Sequence, residues 1–303
     1  MEVEMRIGIM IGETGGPAGL ADLHDQVGAG DGLDTIWAAQ ASGWDALTAL
    51  TLAGTQAPAA RLGTSVVPVR QRHPLVLAGQ ALSVQAATGN RLTLGVGAGI
   101  GVMVSGMFGL PAGRPVEYLR EYLAVLLPLL RGEPVDHHGE MITAVGSAAI
   151  PGAEPPPVLL AALGRRMLRL AGETTGGTIT WMTGPRAFAT HVVPLITAAA
   201  REVGRPAPRI VAGLPVTVTG DADDARERIA GRFGMAGRVP EYRAVLDHEG
   251  VDGPADVAIA GDEETVARRI GELAEAGVTE FAASPFGTVA ERARTTELLR
   301  SLA

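Results

Sequence analysis

At 303 residues, with a formal net charge of −8 and a pI near 5.3, the chain is long enough for one large α/β domain and shows no basic patch for nucleic acid. It contains no cysteine and all 25 basic residues are arginine, which excludes disulfides, thiol nucleophiles, Schiff-base lysines and the P-loop lysine. The acidic start lacks the positive region of a signal peptide, and no apolar run reaches the ~18 residues of a membrane span; the expectation is a cytoplasmic protein without a membrane partner.

Met5–Ile11 reads as the first strand and runs into Gly12-Glu13-Thr14-Gly15-Gly16. A weak helix over Leu20–Gly30 precedes a second strand, Asp34–Ala39, and a helix over Asp45–Gln56. The next two strands open alike, Arg61-Leu62-Gly63-Thr64-Ser65-Val66-Val67-Pro68-Val69 and Arg91-Leu92-Thr93-Leu94-Gly95-Val96-Gly97-Ala98-Gly99. Neither alternates apolar with polar residues, as expected of parallel strands buried on both faces. Between them Pro74–Thr88 is a helix, with proline in its first turn and Gly89-Asn90 as a left-handed stop. Gly97–Leu110 reads as an uncharged glycine-rich loop, Arg114–Leu130 as a helix and Gly132–Pro157 as an excursion or lid. Strand–helix alternation resumes with strands at Pro157–Ala162, Thr178–Met182, Ile210–Thr219 and Phe281–Phe286. Helices follow at Gly164–Glu173, Pro185–Val203, Ala222–Phe233, Asp262–Ala276 and Val289–Leu302; the stretch through Asp256 is irregular or helical.

Eight strands each followed by a helix give the count of a (β/α)8 TIM barrel, here with insertions after strand four and strand seven and no linker within residues 1–303. A doubly wound sheet competes, but it would place G-x-G-x-x-G after its first strand, where this chain has Gly-Glu-Thr-Gly-Gly. Ligands of a barrel sit at the carboxyl ends of its strands. In this chain those ends are small: Thr64-Ser65, Gly95–Gly99 and Ala161-Ala162.

The chain has no nucleophile elbow, no H-E-x-x-H helix and no calcium loop. His137 and His138 are adjacent and would point apart on regular structure, so no metal is expected there. Small and apolar strand ends suit a flat conjugated ring and a cofactor that brings its own reactivity. Ala161-Ala162-Leu163-Gly164-Arg165-Arg166 enters a helix and reads either as an anion cradle or as a tight turn with surface arginines. Trp181 is a pocket wall or a core residue, and Trp44 sits in a loop at the ligand end. His73 precedes Pro74 and suits a helix start; Glu13 is the carboxylate at the end of strand one; Met103 and Met107 read as core or flexible pocket wall.

On these residues the chain resembles the luciferase-like monooxygenase superfamily, and within it the F420-dependent oxidoreductases of actinobacterial type. The signs are D-T-I-W-A-A-Q, R-L-G-T-S-V-V-P-V with R-H-P, A-T-G-N-R-L-T-L-G-V-G-A-G, P-V-L-L-A-A-L-G-R-R, G-T-I-T-W-M-T-G-P and A-G-V-T-E-F-A-A-S-P-F-G. The resemblance implies a barrel binding coenzyme F420, with FMN as the alternative, and commonly a homodimer. It implies a cis peptide at Ser65-Val66 behind the ring, Thr64 and Gly97-Ala98-Gly99 beside it, and Gln40 at its edge. Ala161, Ala162, Gly164 and Arg165 would cradle the phosphate, and Trp181 and Met182 would line the pocket. Glu13, Trp44, His73, Met103 and Met107 are the substrate-pocket candidates. Alcohol- and sugar-oxidising relatives carry a histidine after strand two and a glutamate after strand four; here those positions hold Ala41 and Ile100, although Trp44 matches. Removing hydride from an alcohol needs a base. The expectation is therefore F420H2-dependent reduction of an activated C=C or C=N bond. Alternatives are an FMNH2-dependent two-component monooxygenase and a non-catalytic flavin-binding barrel.

Overall fold

The structure, a computed structural model, describes residues 5–12, 19–41 and 43–303. Eight parallel strands close into a ring: β1 (Arg6–Ile11), β2 (Thr35–Ala38), β3 (Arg61–Thr64), β4 (Leu92–Gly97), β5 (Val158–Ala161), β6 (Gly177–Trp181), β7 (Arg209–Val218) and β8 (Glu280–Pro285). Each pairs with its neighbours in chain order, and β8 closes on β1 through Arg6↔Glu280 to Ile9↔Ala283. The expected (β/α)8 barrel is therefore the observed fold.

Outward side chains of the strands pack against the surrounding helices, and inward ones fill the barrel. Helix Pro115–Leu130 turns Leu119, Tyr122, Leu123, Val125, Leu126, Leu129 and Leu130 into the outer core. Each such side chain contributes about 1.5–3 kcal/mol when removed from water. The inner core is small and built around Trp37, with Leu159, Ile179, Val211 and Ala282. The indole fits because its neighbours lack side chains: a Cβ at Gly63 would lie 2.3 Å from the Trp37 ring. Below it the barrel is sealed by fully buried Glu280, which takes Arg6 and Arg209 at 2.9 Å each and the Trp37 indole N–H at 3.0 Å. The open end is the other one, at the strand carboxyl termini.

Four elements differ from the sequence reading. The strand expected over 61–69 stops at Thr64 and resumes only at Val67–Pro68, after a break at Ser65-Val66. The expected glycine-rich loop holds a helix, Gly101–Phe108, ended by Gly109 at φ 63°; its lack of charge and paired glycines hid the helical period. The excursion contains an antiparallel hairpin, Val135–His138 with Thr143–Gly146. Its strands are short and half-exposed, which leaves little apolar signature. After β7 come helices Ala222–Phe233, Pro240–Glu249 and Pro254–Val257, and then a further short strand, Ile259–Gly261, beside Val216–Val218. Three residues carry too little pattern to read as a strand. Among the described residues no helix is long and apolar enough to cross a membrane.

Candidate cofactor site

Three strand ends converge at the open mouth. The Ser65-Val66 peptide is cis. A Cβ placed on Gly97 would lie 2.9 Å from Val66 Cγ2 and 3.1 Å from Ala161 Cβ, so β3, β4 and β5 meet at contact distance around a residue that has no side chain. This leaves a shallow, apolar floor. Gly99, at φ 78°, turns the chain away towards the next helix, and Ala98 beside it is half-buried.

Thr64 does not face this floor. Its side chain is fully buried and bonds both polar groups of Gly95, across the gap where the β3–β4 ladder lapses. The break in β3 is thereby held by a hydroxyl in place of a ladder bond.

At the end of β2, Gln40 Oε1 accepts from Arg72 at 2.9 Å, and the other arm of the same guanidinium pairs with Asp45. Arg72 is itself placed by its backbone carbonyl, which accepts from the Tyr122 hydroxyl at 2.9 Å. With the Gln40 oxygen engaged, its amide N–H2 is what remains to offer a ligand. Asp45 also caps helix Ala46–Gln56 through the Thr48 N–H at 2.9 Å. Trp44 lies half-buried against the outer core nearby.

Helix Arg165–Thr174 opens at Gly164, with no side-chain cap and open space where a Cβ would stand. Its first N–H groups and exposed Arg165 form a cationic corner, while Arg166 is drawn aside by Glu117. His191 holds the preceding loop by a 2.7 Å bond to the Leu163 carbonyl and stacks on His248 at 4.1 Å. Burial keeps the His191 imidazole below its ordinary range. The next helix start differs. At Gly184–Pro185 the Glu249 carboxylate, from the insertion after β7, already accepts from Ala187 N–H at 2.7 Å and Arg186 N–H at 3.4 Å. Of the two helix starts, the one at Gly164 is left for an anion.

The aromatic wall comes from three elements. Trp181 at the end of β6 meets Phe233 edge-on at 5.8 Å, and Phe233 meets Phe286, just past β8, at 6.0 Å. Gly213 makes room for the indole, since a Cβ there would lie 2.9 Å from it.

The remaining expected residues are distributed as follows. Ala162 is buried in the outer core, and so is Met182, whose left-handed backbone (φ 59°) turns its side chain away from the wall that Trp181 forms. His73 caps helix Pro74–Ala87 through Nδ1 and bonds the Thr143 carbonyl of the hairpin at 2.9 Å, so both ring nitrogens serve the scaffold. Met103 is half-buried and Met107 exposed on helix Gly101–Phe108. Glu13 lies outside the described residues. His137 and His138 take opposite faces of the hairpin, the first beside Glu121 and the second on Asp136. Sequence reasoning did not single out Trp37, Arg72, Phe233, Phe286 or Glu249. Trp37, Arg72 and Phe286 lie inside stretches that carried the resemblance, whereas Phe233 and Glu249 lie outside them and show no shared pattern.

A family model described as luciferase-like monooxygenase matches residues 12–280. A Mycobacterium tuberculosis protein named a coenzyme F420-dependent oxidoreductase is 32% identical over 61% of this chain. That match spans 58% of the relative, a little over half its length. A 5,10-methylenetetrahydromethanopterin reductase of Methanolobus tindarius is 27% identical over 86% of this chain and 89% of its own. Among solved structures, an F420-dependent secondary alcohol dehydrogenase carrying an F420-acetone adduct superposes with TM-score 0.83, 18% identity and 99% of both chains. The oxygenating constituent of 3,6-diketocamphane monooxygenase from Pseudomonas putida, with FMN, does so with TM-score 0.75, 17% identity, 98% of this chain and 97% of that one. At these identities the two structures speak to the fold. One curated relative and one solved structure thus carry F420 in their names, and another solved structure carries FMN.

Proposed function

The chain belongs to the luciferase-like monooxygenase family, and we propose that within it this protein transfers hydride from reduced coenzyme F420 to an activated C=C or C=N bond of a small organic substrate. The residues present fit such a cofactor. Val66, Gly97 and Ala161 form a floor that a single Cβ would fill, and Gly164 with Arg165 offers N–H groups and a cation for a phosphate. Gln40, braced by Arg72, would hold the ring edge. When bound, the reduced deazaflavin supplies the hydride.

One observation carries the direction of transfer: among the described residues, the positions after β2, β3 and β4 offer no free base. The positions after β2 and β4 are Ala41 and Ile100, Asp45 is paired with Arg72, and both His73 nitrogens are bonded within the scaffold. Taking hydride from an alcohol requires a group to accept the hydroxyl proton. Delivering hydride to an activated double bond does not, because solvent protonates the product. What the chain does is bind and orient the two reactants.

Titration with F420 and FMN side by side, followed by cofactor fluorescence, tests the cofactor. Saturable F420 binding is expected; binding of FMN alone would overturn the reading in favour of a two-component monooxygenase. Reduced F420 and an α,β-unsaturated ketone, mixed without oxygen, then test the reaction. Turnover at the same rate with and without oxygen is expected, and no turnover of any activated alkene or imine would leave a non-catalytic barrel.

A further inference from the structure

We propose that the substrate taken at this mouth is an uncharged, predominantly apolar molecule, selected by two apolar rims and by a carboxylate that turns anions away. The inference rests on the reductase reading for its chemistry and on separate observations for its specificity.

The first observation is what the rims expose. Helix Gly101–Phe108 leaves the end of β4 and buries only Val104; Val102 is 71% exposed and Phe108 47%. Met235, two residues past Phe233 on the insertion after β7, is 70% exposed. Both segments stand at the carboxyl end of the barrel, and the Trp181–Phe233–Phe286 wall continues from one of them. Surface this apolar at a ligand mouth is used for binding.

The second observation is electrostatic. A helix start three residues beyond Trp181 would ordinarily attract an anionic group. Here the Glu249 carboxylate already takes its N–H groups, and a Cβ on Gly184 would lie 2.4 Å from that carboxylate and displace it. At the β2 side the Arg72 guanidinium is neutralised by Asp45. An anionic substrate would find this helix start already taken by Glu249, and a cation would have apolar rims around it.

Benzylideneacetone and cinnamate are matched in size and differ by a carboxylate, and they serve as probes. Calorimetric titration of the F420-loaded protein should show benzylideneacetone binding at least tenfold more tightly than cinnamate. Glu249→Gln should narrow that gap, with the melting temperature recorded to confirm folding. Met235→Ser and Val102→Ser should each weaken benzylideneacetone about three- to tenfold and leave F420 affinity unchanged. Equal or tighter cinnamate binding, absence of binding by either probe, or rim variants without effect would overturn the proposal. If F420 does not bind, the cofactor reading fails, and the same titration of the cofactor-free protein decides the specificity inference by the same tenfold preference.

Discussion

The Thr64 hydroxyl donates to the Gly95 carbonyl at 2.7 Å and accepts from the Gly95 N–H at 2.8 Å. Backbone pairing between these strands lapses after Gly63↔Thr93 and resumes at Val67↔Val96, so one side chain satisfies the groups the break leaves over. The same break places Val66 at the mouth. Thr64→Val keeps the shape and strands both Gly95 groups, each costing about 1–3 kcal/mol when buried and unbonded. Denaturant unfolding should show a loss of about 2–6 kcal/mol, with Thr64→Ser recovering most of it. A valine variant as stable as the parent would contradict this role.

Gly97 and Gly95 are two residues apart and should respond differently to alanine. At Gly97 the new methyl meets Val66 Cγ2, a side-chain tip, at 2.9 Å and the Ala161 Cβ at 3.1 Å. Overpacking of that kind costs about 1–3 kcal/mol, and its first effect should be on the floor, with F420 affinity falling about tenfold, as that energy range implies. At Gly95 the methyl would lie 2.0 Å from the Thr64 carbonyl oxygen, which is backbone and cannot yield. That variant should fail to accumulate as folded protein, judged by circular dichroism and melting temperature.

Glu280 is the buried counter-charge for Arg6 and Arg209 and the acceptor for Trp37. Removing one partner of a buried ion pair costs about 3–5 kcal/mol because the other charge stays behind. Glu280→Gln should lower chemical stability by roughly that amount. The folded fraction should still bind cofactor normally, since this network closes the end of the barrel opposite the mouth. A large change in cofactor affinity without a change in stability would reverse the assignment.

The Arg228 guanidinium, together with the Thr288 N–H, holds the Glu291 carboxyl down to about 2. A carboxyl depressed in the folded state stabilises it above the unfolded value near 4.3, and that contribution is lost as pH falls through the folded value. Melting temperatures of the parent and of Glu291→Gln should differ most near pH 7, and the gap should shrink steadily from about pH 4 downwards. A gap independent of pH would assign the effect to the helix cap geometry alone.

Within single elements the sequence was sufficient. Continuous apolar runs such as Leu92–Val96, punctuated by Gly89-Asn90 and capped helices, mark buried parallel strands in alternation with helices, because burial on both faces and local capping are properties of neighbouring residues. Eight such units close into a barrel, and the small strand ends followed from the residues themselves. The resemblance added the position of the cis peptide. Other features depended on residues distant in the chain. Helix Gly101–Phe108 could not be read because its apolar residues face outwards as well as in. Met182 and Trp181 are adjacent, yet only the backbone turn at φ 59° decides that one enters the core and the other the wall. His73 became a scaffold residue when Thr143, 70 positions away, supplied its second partner. Glu249 came to fill a helix start 65 residues earlier in the chain, at Gly184. Periodicity and capping report which face of an element is buried; which distant carboxylate, hydroxyl or ring then meets it is fixed by closure of the barrel, and that is what decided the shape and charge of the mouth.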